Sequence, residues 1–201
     1  MKNKQLLMDG IKELGLNCND NMINKFEKYQ DILLKWNEKI NLTRITDEDD
    51  IILKHFVDSL ACSTLDIIKP DSKIIDIGTG AGFPGVPLKI YYENLEVALL
   101  DSLNKRIKYL KELCVELDLD DVEFLHSRSE DAAKNPEYRQ QYDVAIARAV
   151  AELNVLTELC LPYVKVGGYF IAQKGPKINE EIEKSKNAIN ILGGEIVEVK
   201  E

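Results

Sequence analysis

The sequence lacks clustered cysteines, long apolar runs and an excess of positive charge. No CxxC pair or Cys/His cluster indicates a metal site, because the four cysteines are well separated: Cys18, Cys62, Cys114 and Cys160. We therefore expect reduced, mostly packed thiols and no bound metal. No run is apolar enough to span a bilayer, and the first residues space their apolar side chains as a helix does, unlike a signal peptide. The expected location is therefore the cytoplasm, with no membrane partner.

Acidic residues outnumber basic ones, with 35 Asp and Glu against 26 Lys and Arg, so the net charge is −9 at pH 7. A phosphate backbone is bound best by a basic surface. This composition argues against indiscriminate binding to nucleic acid. Any contact with RNA therefore has to rest on a local site.

Length and periodicity indicate one main domain with a helical extension. A chain of 201 residues, 45% of them apolar, is long enough to bury one sizeable core, and we expect a monomer. Between Met22 and Ile40 apolar residues recur every three or four positions, which predicts an amphipathic helix. We divide the chain into an extension, residues 1–65, packed on the core, and a main domain, residues 66–201.

A second helix is expected near the end of the extension. Thr46 followed by Asp49 resembles a capping box, the pairing of side chains that begins many helices. The pattern predicts a helix from about Asp47 to Leu65.

After Pro70 the pattern changes to short β-rich runs that alternate with amphipathic helical stretches, such as Asn104–Leu117. This alternation is typical of βαβ units and predicts an α/β fold with a Rossmann-like, mostly parallel, doubly wound sheet. The predicted strands are Lys73–Ile77, Leu95–Leu100, Val122–Ser127, Tyr142–Ala147, Gly168–Gln173 and a sixth near Glu195–Val199.

A glycine-rich loop follows the first predicted strand and precedes a helix expected to begin near Pro84. Its sequence is Asp76-Ile-Gly78-Thr-Gly80-Ala-Gly82-Phe83-Pro-Gly. Glycines there allow tight turns and let the backbone approach a ligand over the carboxyl end of the strand. A dinucleotide fingerprint would need its third glycine where this chain has Phe83, which disfavours a nicotinamide enzyme. An acidic residue followed by GxGxG instead resembles the methyltransferase loop that cradles S-adenosylmethionine; the alternative is a generic turn.

Two further turns are expected to border the same ligand. Asp101 ends the second predicted strand, near the ~20-residue separation from Gly78 typical of a carboxylate that binds ribose hydroxyls; the alternative is a helix cap. The third strand leads to Ser129 and Glu130, where a backbone amide would border the adenine. Both residues are equally suited to cap the next helix.

Three cations follow three predicted strands: Arg128, Arg148 and Lys174. Because the carboxyl ends of parallel strands meet at one edge of a sheet, we expect these side chains to converge on one local basic site. For Arg148 the alternative is a structural salt bridge.

Several separate motifs resemble the RsmG (GidB) family of small-subunit ribosomal RNA guanine-N7 methyltransferases, over nearly the whole chain. They are Trp36-Asn-Glu-Lys-Ile-Asn-Leu-Thr, His55-Phe-Val-Asp-Ser-Leu, the glycine loop with Val-Pro-Leu after it, Ala147-Arg-Ala and Gln173-Lys-Gly. The resemblance implies the class I methyltransferase fold and S-adenosyl-L-methionine as the cofactor. It also implies methylation of a guanine at N7 in the 16S ribosomal RNA of the small ribosomal subunit or its precursor.

The resemblance assigns residues as well. Cofactor contacts are implied at Gly78, Phe83, Ser129, Glu130 and Arg148, beside the Asp76, Gly80, Gly82 and Asp101 that the loop and its spacing suggest. RNA or active-site roles are implied at Asn41, His55, Arg128, Arg148 and Lys174. From its own surroundings, with Ile51, Ile52 and Phe56 nearby, His55 is by default a packed core residue.

The chain departs from the family pattern at its end. Members of the family continue past residue 201 into a basic, proline-containing tail that completes the sheet, and a seventh, antiparallel strand normally lies between the fifth and sixth. The resemblance therefore implies that this C-terminal strand is missing and that Glu195–Val199 lacks its normal neighbour. We expect exposed or rearranged residues after about Gly193.

Guanine N7 carries a lone pair and no proton, so methyl transfer to it needs in-line approach more than a general base. Two other functions stay open at this point. One is a methyltransferase of the same fold that acts on a small molecule or a protein. The other is a non-catalytic module that binds S-adenosylmethionine without turnover.

Overall fold

The structure, a computed structural model, describes residues 1–148, 151–175 and 178–200. Its N-terminal part is helical, with α1 at Lys4–Glu13 and α2 at Asp20–Ile40. Asn19 begins α2, because its side chain accepts a hydrogen bond from the Met22 amide at 2.9 Å. The predicted amphipathic helix is therefore confirmed.

The segment predicted as one helix from Asp47 changes its hydrogen-bond pattern along its length. It comprises α3 at Glu48–Ile51, a π-helical turn at Ile52–Val57, α4 at Asp58–Leu60 and a 3₁₀ turn at Ala61–Leu65. The N-cap is Asp47 rather than Thr46, since the Asp47 carboxylate accepts from the amides of Asp49 and Asp50 at 3.1 and 3.0 Å. The helical character was predicted correctly, whereas the cap and the continuity were wrong.

Five parallel strands form one sheet in the order β3-β2-β1-β4-β5. They are β1 Lys73–Ile77, β2 Glu96–Asp101, β3 Val122–His126, β4 Tyr142–Arg148 and β5 Val164–Gln173. The helices between and after them are α5 Gly85–Tyr91, α6 Asn104–Glu116, α7 Ser129–Ala132, α8 Leu153–Cys160 and α9 Ile178–Ile191. The strand order reverses between β1 and β4, and ligands of such sheets bind outside the carboxyl ends at that point.

Both faces of the sheet are apolar and covered, as is usual for parallel strands. Ile74, Val97 and Val144 point to a core shared with α1, α2, α5 and α6. Ile75 and Ala145 point to a second core shared with α7 and α8. The extension thus packs on one face of the sheet, while its division from the core at residue 65 stays an interpretation.

The predicted sixth strand is wrong, because residues 194–200 form no regular secondary structure. In the described part of the chain no strand lies beyond β5, so the neighbour expected between β5 and this segment is absent. The exposure expected after Gly193 is confirmed, with Val197 69% exposed. The fifth strand begins earlier than predicted, at Val164 rather than Gly168.

Of the helices that the structure describes, none is both long enough and apolar enough to cross a membrane.

Candidate cofactor and substrate site

The glycine loop leaves the carboxyl end of β1 and is held by the backbone of β2. The amides of Gly78 and Thr79 both donate to the Leu100 carbonyl, at 2.9 and 3.0 Å. Gly78, Gly80 and Gly82 have φ angles of 68°, 61° and 98°, which L side chains rarely adopt. The glycines are therefore required by the turn itself.

Gly80 and Gly82 differ in what surrounds them. A Cβ atom on Gly82 would lie 2.7 Å from the Tyr29 oxygen and 2.8 Å from Val86 Cγ2. A Cβ atom on Gly80 would meet only the Gly78 carbonyl oxygen, at 3.8 Å. Gly82 is thus enclosed by protein, while Gly80 faces open space where a ligand can approach the backbone.

The N-terminal extension shapes this loop directly through Tyr29 of α2. The buried Tyr29 hydroxyl donates to the Ala81 carbonyl at 2.6 Å, and the Tyr109 hydroxyl of α6 approaches the same oxygen at 3.4 Å. Burial raises the pKa of both phenols well above the ordinary value, so both stay protonated donors. The sequence reading took Tyr29 only as part of an apolar stripe and missed this contact.

Asp76 lies fully buried beneath the loop and joins its two ends. Oδ2 accepts from the Thr79 hydroxyl at 2.7 Å and from the Gly85 amide at 2.9 Å. Oδ1 has no partner among the described residues, and burial raises the pKa of the carboxyl to about 6. Asp76 therefore fixes the shape of the loop and does not lie on the exposed side of the loop.

Asp101, at the end of β2, is tied to the loop and to α6. Its Oδ2 accepts from the Gly80 amide at 3.0 Å and from Arg106 at 3.1 Å, and its Oδ1 accepts from the Leu103 amide at 2.8 Å. The side chain is 2% exposed. A ribose hydroxyl would therefore have to use the remaining lone pair of Oδ1 or displace Arg106.

The turn after β3 uses its serine internally. The Ser129 hydroxyl donates to the Leu159 carbonyl at 2.7 Å, and the Tyr163 hydroxyl donates to the Ser129 carbonyl at 2.7 Å. These bonds hold α7 against the end of α8. The amides of Ser129 and Glu130 open α7, where amides lack intrahelical acceptors, so an adenine contact would come from this backbone.

At the end of β4, Arg148 enters a cluster formed by residues 54–58. Its Nη1 donates to Asp58 Oδ2 at 2.7 Å and to the Lys54 carbonyl at 3.1 Å, and its Nη2 lies 3.3 Å from His55 Nδ1. The guanidinium also lies over the Phe83 ring, 4.9 Å from its centroid. The salt bridge left open as an alternative is therefore present, at the mouth of the crevice.

His55 stacks on Phe83, with ring centroids 4.5 Å apart, and its Nε2 lies 2.8 Å from Thr43 Oγ1. Burial, and then the charge of Arg148, lower the pKa of His55 to about 4, so the ring is neutral at pH 7. Its Nδ1 lies 3.3 Å from Arg148 Nη2, a donor, and 3.2 Å from the Lys54 carbonyl, an acceptor. His55 is thus a packed residue whose neutral ring lies against the Arg148 guanidinium.

Lys174 follows β5 and is paired as well. Its Nζ donates to the Ala151 carbonyl at 2.7 Å and lies 2.7 Å from Glu181 Oε2. Glu181 belongs to α9, and the hydrogen bond from Lys174 lowers its pKa. Arg148 and Lys174 line one cavity, so these two cations do converge.

Arg128 does not join them. It follows β3, which lies at the opposite edge of the sheet from β5, about 19 Å away at the usual strand spacing. The predicted convergence of three cations is therefore wrong for Arg128, because β3 and β5 are the outermost strands. Asn41 is exposed at the left-handed end of α2, with φ of 51°.

No group of three His, Cys, Asp or Glu side chains in the described ranges could hold a metal ion. The four cysteines are free, as predicted, and three of them are buried.

The family model described as "rRNA small subunit methyltransferase G" matches residues 22–201, which include every element of this site. The chain belongs to this family. Among curated proteins named Ribosomal RNA small subunit methyltransferase G, one from Alkaliphilus metalliredigens is 56% identical over 100% of this chain and 84% of its own length. Another, from Clostridium kluyveri, is 55% identical over 96% of this chain and 82% of its own length.

Solved structures give the same fold. A SAM dependent methyltransferase from Aquifex aeolicus has a TM-score of 0.55 at 22% identity, covering 79% of this chain and 91% of its own. A SAM-dependent O-methyltransferase from Thermotoga maritima has a TM-score of 0.53 at 16% identity, covering 79% and 55%. The predicted class I methyltransferase fold is confirmed.

Proposed function

We propose that this protein transfers the methyl group of S-adenosyl-L-methionine to N7 of a guanine in the 16S ribosomal RNA of the small ribosomal subunit or its precursor. The observation that supports it most is the family match over residues 22–201, which contains the glycine loop at the switch point of the sheet. A ribosomal substrate also agrees with action in the cytoplasm. We expect the protein to act as a monomer.

The loop fits the cofactor, because the outer side of Gly80 is open where a Cβ atom would otherwise project. We assign Gly78, Gly80 and Gly82 to the wall that holds the amino-acid part and Asp101 to the ribose. The backbone at Ser129 and Glu130 is assigned to the adenine, and Phe83 and Arg148 close the crevice from the other side. When bound, the cofactor supplies an electrophilic methyl group on a sulfonium.

The reaction requires the protein mainly to position the base and the methyl group. N7 of guanine has no proton to remove, so no general base is needed, and alignment of base and methyl group supplies most of the rate. Arg148 is suited to this task because Asp58, His55 and Phe83 hold its guanidinium on three sides. We assign His55 to positioning Arg148, and Lys174 to the substrate side of the same cavity.

The exposed Arg128 and Asn41 are assigned to RNA outside the crevice. A phosphate contact positions a nucleic acid without reading its sequence. Loss of either side chain should therefore weaken RNA binding and leave the affinity for the cofactor unchanged.

The test incubates small ribosomal subunits that lack their own 7-methylguanosine with the protein and methyl-labelled S-adenosylmethionine, followed by mapping of the modified base. We expect label at N7 of a single guanine. Label in protein or in a small molecule instead would refute the proposed substrate. Tight cofactor binding without any transfer would indicate a non-catalytic module.

A further inference from the structure

A cavity of about 220 Å³ opens beside the carboxyl ends of β4 and β5 and the start of α9. Five of the six residues that line it have polar or charged side chains: Asp58, Arg148, Gln173, Lys174 and Glu181, with Gly175 as the sixth. β4 lies directly beside β1, where the glycine loop begins. A ligand in this cavity is therefore next to the proposed cofactor.

The charges in the cavity balance. Arg148 pairs with Asp58 at 2.7 Å, and Lys174 pairs with Glu181 at 2.7 Å. A phosphate gains little from cations whose charge is already matched, and carboxylates repel it. A neutral group with both donors and acceptors matches this lining better, and the edge of a nucleobase is such a group.

Two acceptor atoms of the residues that line the cavity have no partner in the part of the chain that the structure describes, and one of them, Gln173 Oε1, is buried. Glu181 accepts from Lys174 and the Leu153 amide with Oε2 alone, and Oε1 has no partner within residues 1–148, 151–175 and 178–200. Gln173 donates from Nε2 to the Asp58 carbonyl at 2.7 Å, which fixes its amide orientation. Its Oε1 also has no partner in the described part of the chain.

We propose that Glu181 recognises the Watson–Crick edge of the target guanine; this rests on the proposed function. Guanine carries donors at N1 and N2 on that edge, while O6 and N7 are acceptors. With N7 directed toward the cofactor over β1, the N1 and N2 donors point away from it, toward β5 and Glu181. Adenine would bring the lone pair of its N1 to the carboxylate, so it is rejected.

The competing role for Glu181 is purely structural, since its bonds to Leu153 and Lys174 join α9 to α8 and β5. Glu181→Gln separates the two roles. The amide oxygen replaces Oε2 and still accepts from Leu153 and Lys174. The amide NH₂ replaces Oε1 and places a donor against the donors of guanine.

The experiment uses reconstituted small ribosomal subunits whose target nucleotide is guanine or, after ligation of a synthetic segment, inosine. Inosine keeps N7, O6 and the N1 proton and lacks the 2-amino group. We expect the wild-type protein to prefer guanine about 10-fold in kcat/KM. Glu181→Gln should lose about 10- to 100-fold on guanine, and its guanine-to-inosine ratio should fall toward one.

Glu180→Gln is the matched control, because Glu180 is the exposed neighbour outside the cavity and should keep the wild-type ratio. A Glu181→Gln protein that loses activity equally on both bases overturns the inference, because that loss is structural. Equal kcat/KM of the wild-type protein on guanine and inosine also overturns the inference. Wild-type protein that binds the cofactor but methylates neither base instead defeats the proposed function, and the inference with it.

Discussion

The two halves of the carboxyl edge of the sheet are built by different means. Over β1 and β2 the glycine loop is fixed by backbone amides and by the buried carboxylates Asp76 and Asp101. Over β4 and β5 the groups are charged side chains that pair with other charged side chains and stay partly exposed. In the first half Gly82 is enclosed by protein and Gly80 faces open space, while the second half borders an open cavity.

This difference suggests a division of labour. Backbone bonds buried under a loop cannot exchange partners without unfolding it, which suits a cofactor that is the same in every turnover. Paired side chains at a cavity wall can change partners when a substrate enters. We therefore expect substitutions over β1 and β2 to change mainly the free energy of unfolding. Substitutions over β4 and β5 should change mainly the rate and the selectivity of the reaction.

The largest effect is expected from Gly82→Ala. Its Cβ atom would overlap Tyr29 and Val86 at a positive φ of 98°, so the free energy of unfolding should fall by about 3 kcal/mol. Gly80→Ala is the control, since its φ is also positive, at 61°, but it faces open space, and it should lose only about 1 kcal/mol. Urea denaturation measures both losses.

The same pair separates stability from binding. Gly80→Ala places a methyl group where the cofactor would approach, so calorimetry should detect little binding of S-adenosylmethionine to a folded protein. Equal loss of stability in the two variants would contradict the view that one glycine is enclosed and the other faces a ligand.

The next effect concerns the other half, through Arg148→Ala. Charge-assisted hydrogen bonds are worth about 1.5–3 kcal/mol, so both cofactor affinity and turnover should fall about 10- to 100-fold. Lys165→Ala is the control, because Lys165 forms an ion pair of similar length with Asp143, at 2.8 Å, where β5 begins. Calorimetry and methyl-transfer kinetics measure the change, and unchanged kinetics would refute the assignment of Arg148.

Local features of this site were predictable and long-range partners were not. The glycine loop, the first five strands and the position of Arg148 after β4 all follow from residues close together in the sequence. The partner of Arg148 does not, since Asp58 lies 90 residues earlier. An apolar stripe predicts that Tyr29 is buried, but it cannot tell which carbonyl the hydroxyl reaches.

The balance of charge at the site could not be predicted from the sequence. Cations after three strands suggested a basic surface, and two of them do meet. The sequence carries no local signal that Glu181 of α9 returns to Lys174, because that pairing depends on how α9 packs against α8 and β5. Arg128 lies outside this site because the strand order places β3 and β5 at opposite edges of the sheet.

A third effect, confined to acid pH, is expected at His55, which links the two halves by stacking on Phe83 of the glycine loop and contacting Arg148. In the unfolded chain a histidine gains its proton near pH 6.5, whereas folded His55 resists it until about pH 4. The unfolded state therefore binds more protons between these values. The stability contributed by neutral His55 is complete above about pH 6.5 and is lost as the pH falls toward 4, by about 2 to 3 kcal/mol.

His55→Gln removes this titration and should flatten that part of the pH profile, measured by urea denaturation from pH 7.5 to 4. Asp76, with its pKa raised to about 6, acts in the opposite sense, because its stabilisation is present at low pH and lost as the pH rises through 6. Asp76 is present in both proteins, so its contribution cancels when the free energy of unfolding of the variant is subtracted from that of the wild type at each pH. His126→Gln, at the other histidine of the chain, which is exposed, is the control for the substitution itself. A difference between wild type and His55→Gln that is independent of pH would mean that His55 is not held neutral beside Arg148.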